Sequence, residues 1–213
     1  MKDINIHDIY AGSEETITTE KKEFPSSYRK KLIEGSVYVS KLGFDIDNQT
    51  DKENHGGLNQ AVCVYPKSAY THFKDSRELD LPECAFGENI NILDVSDKDI
   101  CIGDQYSCGE VIFEVSQPRG PCWKISAILG IKKLTAWVVK DNKTGFYFRV
   151  LKEGTMDKSS PLKLIQRKHE KMTIHHINDC YFNAKDNQEN IKEILLCEEL
   201  SIGTKESFQK KLK

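Results

Sequence analysis

Short runs of β-branched and aromatic residues dominate the first three quarters of the chain. Turn-forming pairs such as Gly103-Asp104 and Cys108-Gly109 separate several of these runs. Because no regular helical pattern alternates with them, their order favours a closed or sandwiched β architecture over a parallel βαβ sheet. The predicted strands cover residues 37–39, 61–65, 105–115, 134–139, 146–151 and 162–165, and residues 141–145 are predicted to connect two strands.

Helical spacing of apolar residues occurs once within this β-rich part, at residues 67–74, and again after Arg167. In the last part of the chain it covers residues 173–184, 188–196 and 205–212. Three short helices are each marginal alone in water, so we expect them to pack on the β part. The expected organisation is therefore a β domain over residues 1–167 and a three-helix appendage over residues 168–213.

The length and composition fit one domain of ordinary size with a small appendage. The chain has 213 residues, of which 38% are hydrophobic and 30% charged. The 31 basic and 33 acidic residues leave a net charge of −2, which removes any global electrostatic argument for nucleic acid or an acidic membrane. No apolar run approaches the roughly 18 residues of a membrane span, and the polar start has no signal-peptide pattern. We therefore expect a cytoplasmic protein that binds neither nucleic acid nor membrane.

Charge is distributed unevenly along this nearly neutral chain. Residues 75–115 contain 11 acidic and 2 basic side chains, whereas residues 119–152 contain 8 basic side chains and a single acidic one, Asp141. Two solvated faces would account for this pattern. The alternative is that the basic stretch lines a pocket for a phosphorylated or otherwise anionic small molecule.

The seven cysteines are scattered and form no framework of the kind found in small secreted domains. One of them, Cys122, follows a loop in which Pro118 and Pro121 restrict the backbone, and the cations Arg119 and Lys124 flank it. Nearby cations favour the thiolate, which is the nucleophilic and metal-binding form of cysteine. The other six lack cationic neighbours, so we expect them to be ordinary buried thiols.

Standard nucleotide, zinc and esterase motifs are absent from the sequence. The run Val-Ser-Gln-Pro-Arg-Gly-Pro-Cys-Trp-Lys at residues 115–124 resembles the signature of MOSC-domain proteins, a family named after the C-terminal domain of molybdenum cofactor sulfurases. Further segments resemble its stand-alone bacterial YiiM-like branch, in the same order: His-Gly-Gly at 55–57, Phe-Gly-Glu-Asn at 86–89, Gly-Asp at 103–104 and Gly-Phe-Tyr-Phe-Arg-Val at 145–150. Residues 43–47 depart from the family's Gly-x-x-Gly-Asp pattern, because Ile46 replaces the second glycine. The resemblance covers roughly residues 26–167.

The resemblance implies a MOSC β-barrel-like domain whose pocket accepts the molybdenum cofactor, a pterin dithiolene that carries a phosphate. It also implies the family-level properties of molybdenum ion and pyridoxal phosphate binding. Cys122 becomes the expected molybdenum ligand and catalytic residue, in agreement with the preference of soft metals for thiolate. The expected cofactor-binding side chains are Arg119, Lys124, Arg149, Lys30, His55, Asn59, Asn89 and Gln117. Without the family, Arg149 would be a solvent-facing strand residue and His55 an ordinary loop residue.

The resemblance to the YiiM-like branch implies a molybdenum-dependent oxidoreductase that reduces N-hydroxylated small molecules. Since no flavin, haem or iron–sulfur motif occurs in the chain, two electrons would come from an external electron-donor protein. Two alternatives stay open: a sulfur carrier that uses a Cys122 persulfide, and a non-catalytic carrier of the molybdenum cofactor. Three alternative roles stay open for the helical appendage: to cover the pocket, to bind the electron donor or to form a homodimer contact.

Overall fold

The computed structural model describes residues 3–20, 22–50 and 56–212 of the chain. Strands account for most of the regular structure before residue 167. In chain order they are β1 (Ile6–Ala11), β2 (Glu15–Thr18), β3 (Glu23–Ser26), β4 (Lys31–Leu32), β5 (Val37–Ser40), β6 (Gly43–Phe44), β7 (Val62–Pro66), β8 (Ile90–Ile92), β9 (Gln105–Cys108), β10 (Val111–Pro118), β11 (Phe146–Lys152), β12 (Gly154–Met156) and β13 (Lys163–Gln166).

Eight of these strands form one curled sheet in the order β13–β9–β10–β11–β7–β8–β1–β4. The pair β7–β8 is parallel and the other neighbours are antiparallel, so the sheet is mixed. Its two sides meet at Ile4 and Leu162, which exchange backbone hydrogen bonds of 3.0 and 2.9 Å. The sheet curls into a half-barrel, and its strands supply many of the side chains of the main hydrophobic core. The small sheets β12–β5–β6 and β2–β3 lie beside it.

The helices in the described part of the chain pack on this sheet in two groups. They are α1 (Lys67–Arg77), α2 (Trp123–Ile128), α3 (Leu134–Lys140), α4 (Ile174–Phe182), α5 (Gln188–Leu196) and α6 (Ile202–Gln209). The first three surround a smaller apolar cluster around Tyr65 and Phe86, whereas α4 to α6 contribute side chains such as Ile177 and Phe208 to the main core. None of the described helices is long and apolar enough to cross a bilayer.

The predicted fold class, mainly β with C-terminal helices, is confirmed. Helix α1 begins at the expected residue, Lys67, and continues beyond the predicted end to Arg77, and α5 matches its predicted bounds. The preference against βαβ connections needs one correction, because α1 joins the parallel strands β7 and β8. This unit matters for function, since it carries residues 84–89 into the region of Cys122.

The strand predicted at residues 134–139 is wrong, because these residues form helix α3. Leu134 and Val138 lie one helical turn apart, and both are fully buried against the cluster around Tyr65. A six-residue apolar run is compatible with either a strand or a helix, and burial along one helical face decides here. Residues 141–145 consequently connect a helix to β11 rather than two strands. Helix α2 and strands β1 to β4 have no counterpart among the predicted elements.

Candidate functional site

A cleft beside the loop between β10 and α2 brings several predicted site residues together. The Arg119 amide donates to the Gly145 carbonyl (3.0 Å) just before β11, which fixes the start of the loop. Cys122 is extended and directly precedes α2, and its carbonyl accepts a hydrogen bond of 3.2 Å from the Thr135 hydroxyl. We call this cleft the Cys122 cavity. The lining residues that matter below are Ser26, Tyr28, Lys30, Asp47, Gln60, Cys63, Phe86, Asn89, Arg119, Cys122, Lys124 and Tyr147.

Cys122 is the most accessible of the seven cysteines, being half-buried while the other six are buried. Burial raises the pKa of all six other thiols, to about 11 for Cys63, Cys101 and Cys180 and to about 12 for Cys108. A buried thiol with a raised pKa is a poor nucleophile and a poor metal ligand at neutral pH. The contrast leaves Cys122 as the thiol placed for chemistry.

Arg119 puts a buried positive charge into the wall of the same cavity. Its side chain is almost fully buried, and Nη2 donates to the Phe86 carbonyl at 2.8 Å. Nη1 is buried and has no hydrogen-bond partner among the described residues. Burial opposes the charge, but the surrounding thiol and phenol groups, led by Cys63 and Tyr147, raise the pKa of Arg119 above its usual range. A buried guanidinium nitrogen without a partner is costly, so its position indicates an acceptor that the described residues do not provide.

A second charged centre lies at Asp47, which was not among the predicted site residues. Its Oδ2 accepts from Lys30 Nζ at 2.6 Å and from Asn89 Nδ2 at 2.8 Å, and its Oδ1 accepts from the Gly12 amide at 2.8 Å. Both members of the Lys30–Asp47 ion pair are more than 90% buried. Asn89 in turn accepts from the Cys63 amide at 3.1 Å. This carboxylate therefore fixes two of the predicted polar groups, Lys30 and Asn89, in the cavity wall.

Three basic side chains among the described residues line the cavity, and most of the basic sequence stretch is not among them. Within residues 119–152, the basic side chains that line the cavity are Arg119 and Lys124, and the third lining cation is Lys30. The lining carboxylate, Asp47, is already paired with Lys30. The remaining basic side chains of the stretch lie elsewhere, with Lys132, Lys133, Lys140 and Lys152 exposed. An anionic ligand would therefore be held by three specific side chains rather than by the stretch as a whole.

An aromatic pair stands next to Cys122 and ties the β2–β3 hairpin to α2. The half-exposed Trp123 ring meets the Phe24 ring edge-on at 5.3 Å between centroids, and Lys22 Nζ lies 3.7 Å above the Trp123 ring centroid. Strand β3 ends at Ser26, which lines the cavity. The hairpin thus positions the wall segment that continues to Tyr28 and Lys30.

Three of the predicted cofactor-binding residues do not line the Cys122 cavity. Arg149 instead pairs with its cross-strand neighbour Glu114 (Nη1 to Oε1, 3.1 Å), and its Nη2 donates to the Glu199 carbonyl at 2.8 Å. The Asn59 carbonyl accepts from the Ser116 hydroxyl at 2.6 Å, and Gln117 faces a different cavity. The predicted residue His55 lies outside the described residues.

Sequence reasoning missed Tyr28, Cys63 and Tyr147 as well as Asp47. Cys63 and Tyr147 are direct partners on the adjacent antiparallel strands β7 and β11, so their side chains share one face of the sheet. Tyr28 donates its hydroxyl hydrogen to the Ala85 carbonyl, which holds it over the turn at Gly87. The only signal in the sequence was the position of Tyr147 in the Gly-aromatic-Tyr motif, because the other contacts depend on strand order.

Comparisons with known proteins identify the family and agree with the fold. The family model for the MOSC domain matches residues 51–163, and the one for the YiiM-like 3-alpha helix domain matches residues 172–213. An uncharacterized protein of Bacillus subtilis, YflK, is 33% identical over 200 residues, which cover 94% of this chain and 90% of YflK. A reductase of Gibberella moniliformis is 31% identical over 159 residues, or 71% of this chain and 28% of that protein. The crystal structure of YiiM from Geobacillus stearothermophilus has a TM-score of 0.83 and 31% identity, and the match covers 99% of this chain and 100% of that one.

Proposed function

Because the chain belongs to the MOSC domain family, which is associated with the molybdenum cofactor, and carries the C-terminal helices of its YiiM-like members, we propose that the Cys122 cavity binds this cofactor. We further propose that the protein is an oxidoreductase that reduces N-hydroxylated compounds. The observation that carries the proposal is the meeting of one accessible thiol, Cys122, with a buried and incompletely bonded guanidinium, Arg119, in one cavity.

The residues of the cavity fit the chemistry of such a cofactor. A thiolate is a strongly donating sulfur ligand, of the same donor type as the dithiolene sulfurs that hold molybdenum in the cofactor. The Nη1 atom of Arg119, together with Lys30 and Lys124, offers cationic donors to a phosphate. The cavity measures about 100 Å³ and is open to solvent, so a group larger than a phosphate would extend beyond it.

In this proposal the protein binds and orients, and the bound group supplies the two-electron redox chemistry. Reduction of an N-hydroxyl group breaks the N–O bond, consumes two electrons and two protons, and leaves an amine and water. Cys122, at the start of α2, would hold the metal, Arg119 and Lys30 would hold the anionic end of the cofactor, and Asp47 keeps Lys30 in place. The electrons come from a separate donor protein. The reductase relative from Gibberella, although it matches over only part of its length, supports a reductive role over a sulfur carrier or a non-catalytic carrier.

Elemental analysis of protein made in a cofactor-competent host tests the proposal. Wild type and the control Cys84→Ser are expected to carry molybdenum, and Cys122→Ser to carry at least tenfold less. The same three proteins are then assayed for reduction of a hydroxylamine compound with a chemical electron donor, where only Cys122→Ser should lose activity. Equal molybdenum in wild type and Cys122→Ser would refute the ligand role. A labile sulfane sulfur on Cys122 without stoichiometric molybdenum would instead support the sulfur carrier.

A further inference from the structure

Three side chains with different metal-binding groups meet where the chain enters the C-terminal helices. His169 lies in the turn before α4, and Cys197 and Glu199 lie in the short connection between α5 and α6. Glu199 Oε2 is 2.7 Å from His169 Nε2 and 3.8 Å from Cys197 Sγ, and the three ligand atoms all lie within 4.8 Å of one another. We call these residues the His169 cluster. None of the three lines the Cys122 cavity.

The spacing of these atoms is close to that of a tetrahedral zinc site. Zinc binds imidazole nitrogen and carboxylate oxygen at about 2.0–2.2 Å and thiolate sulfur at about 2.3 Å, which places neighbouring ligand atoms roughly 3.3–3.7 Å apart. The measured distances of 2.7 and 3.8 Å lie on either side of this range. A small rotation of the His169 ring lengthens the shorter distance and makes room for an ion. Water can complete the coordination, because 30% of the His169 side chain is exposed.

Contacts from outside the cluster hold Glu199 in place. Its carbonyl accepts from Arg149 Nη2 at 2.8 Å, and its Oε1 accepts from Lys168 Nζ at 2.6 Å. Gly103 packs so closely against it that a Cβ at this position would lie 3.0 Å from Glu199 Cγ. Because Lys168 bonds to Oε1, Oε2 is the oxygen that faces His169 and Cys197. Hydrogen bonds that orient a ligating carboxylate in this way are usual around protein metal sites.

The charges of the cluster suit a divalent ion that accepts sulfur. Cys197 and Glu199 are buried, and burial raises the pKa of the Cys197 thiol, so the thiol alone stays protonated at neutral pH. A bound divalent cation displaces that proton, and the resulting thiolate and carboxylate together balance its charge. Cys180 also lies beside a histidine, with Sγ 3.7 Å from His176 Nε2, but no third ligand group completes a cluster there in the described part of the chain.

We propose that the His169 cluster binds a zinc ion, with His169 Nε2, Cys197 Sγ and Glu199 Oε2 as ligands and water in the fourth position. The ion joins the segment that enters the C-terminal helices to the connection between α5 and α6, and so stabilises the helical part against the β domain. No zinc motif in the sequence reveals the site, because folding brings its ligands together from two distant segments. The inference does not depend on the function proposed for the Cys122 cavity.

A cobalt titration of the full-length protein, freed of metal by a chelator, tests the proposal. Cobalt(II) replaces zinc in such sites, and its absorption reports both thiolate coordination and tetrahedral geometry. Wild type and the controls Cys122→Ser and Cys180→Ser should bind one cobalt ion per chain, with a thiolate-to-cobalt charge-transfer band and strong visible bands that added zinc removes. Cys197→Ser should lose the charge-transfer band. His169→Gln should bind cobalt at least tenfold more weakly.

Thermal unfolding of the same proteins separates metal binding from folding. Without metal, His169→Gln should unfold close to the wild-type Tm, because glutamine can still donate to Glu199. Zinc should raise the Tm of wild type and Cys180→Ser and leave that of His169→Gln unchanged, since an ion that binds only the folded state stabilises it. The proposal is overturned if wild type shows no charge-transfer band, if Cys197→Ser keeps the band, or if zinc raises the Tm of His169→Gln as much as that of wild type. Loss of the band in Cys122→Ser alone would place the ion in the Cys122 cavity and equally overturn it.

Discussion

The buried carboxylate of Asp97 should make the stability of the protein depend on pH. Asp97 follows β8 and is 2% exposed, and its carboxylate lies near the backbone amides of Thr144 and Gly145 without a well-formed hydrogen bond to a described residue. Burial raises its pKa to about 7, although nearby Lys143 and the backbone amides of Gly145 and Thr144 oppose the shift. The Asp97 carbonyl accepts from the His175 amide at 2.9 Å, so this loop is also tied to α4.

The sign of the effect follows from the two pKa values of this group. In the unfolded chain an aspartate titrates near pH ~3.9, so the folded state holds the proton more tightly than the unfolded state. The stability that protonated Asp97 contributes is fully present below pH ~4 and is lost as the pH rises to about 7. A shift of roughly three units at ~1.4 kcal/mol each gives a total loss of about 4 kcal/mol. Between pH 5 and pH 8 the loss is about 3 kcal/mol.

The variant Asp97→Asn keeps the size of the side chain and removes its titration. Urea unfolding, followed by tryptophan fluorescence from pH 5 to pH 8, should show wild-type stability falling relative to Asp97→Asn by about 3 kcal/mol. Asp94→Asn is the matched control, because Asp94 lies in the same loop, is exposed, and has a positive φ that asparagine tolerates. Parallel stability curves for wild type and Asp97→Asn would refute the reasoning and show that the carboxylate is solvated or hydrogen-bonded.

Two further predictions concern the accessible thiol of Cys122 and helix α3, which the sequence had predicted to be a strand. Iodoacetamide at neutral pH should modify the folded protein once, at Cys122, as read by peptide mass spectrometry; comparable labelling of Cys84 would contradict the assigned burial. Val138→Ala should lower the free energy of unfolding by about 2 kcal/mol or more, because Val138 is fully buried in α3. Val139→Ala should lower it by less than half as much, because Val139 is only half-buried. Equal losses at the two positions would argue against the helical face.

The sequence predicts correctly those elements in which apolar residues recur at the spacing typical of a helix or of a strand. Helix α5 and strand β11 follow from their residue patterns, whereas α3 was ambiguous because its apolar run is too short to show a period. Strand β1 contains the polar residues His7 and Asp8, and its pairing with β8 is irregular between Ile6 and Asp8. That irregularity removes the alternation that would have revealed the strand.

The candidate site is only partly encoded in neighbouring residues. Arg119, Cys122 and Lys124 lie in one loop and could be predicted together, but Cys63 and Tyr147 join them through the pairing of β7 with β11. The same register explains why Arg149 does not line the cavity. This side chain lies two residues beyond Tyr147 on β11, opposite Glu114 on β10, and the ion pair with Glu114 draws it away from the cavity. The order of the strands in the sheet therefore determines which residues line the cavity, and no local sequence pattern reveals that order.

Burial, rather than the count of charges, determines which cations can recognise an anionic cofactor. An exposed lysine in the basic stretch interacts with a ligand through water, where two unit charges 4 Å apart gain only about 1 kcal/mol. Arg119 and Lys30 are buried in the cavity wall, where water screens less. Lys30 is already compensated by Asp47, so the unmatched charge is that of Arg119, whose Nη1 has no partner in the described structure. Substitution of Arg119 by methionine should therefore lower the molybdenum content more than removal of any exposed lysine from the basic stretch, and an equal effect would mean that the field of the whole stretch holds the ligand.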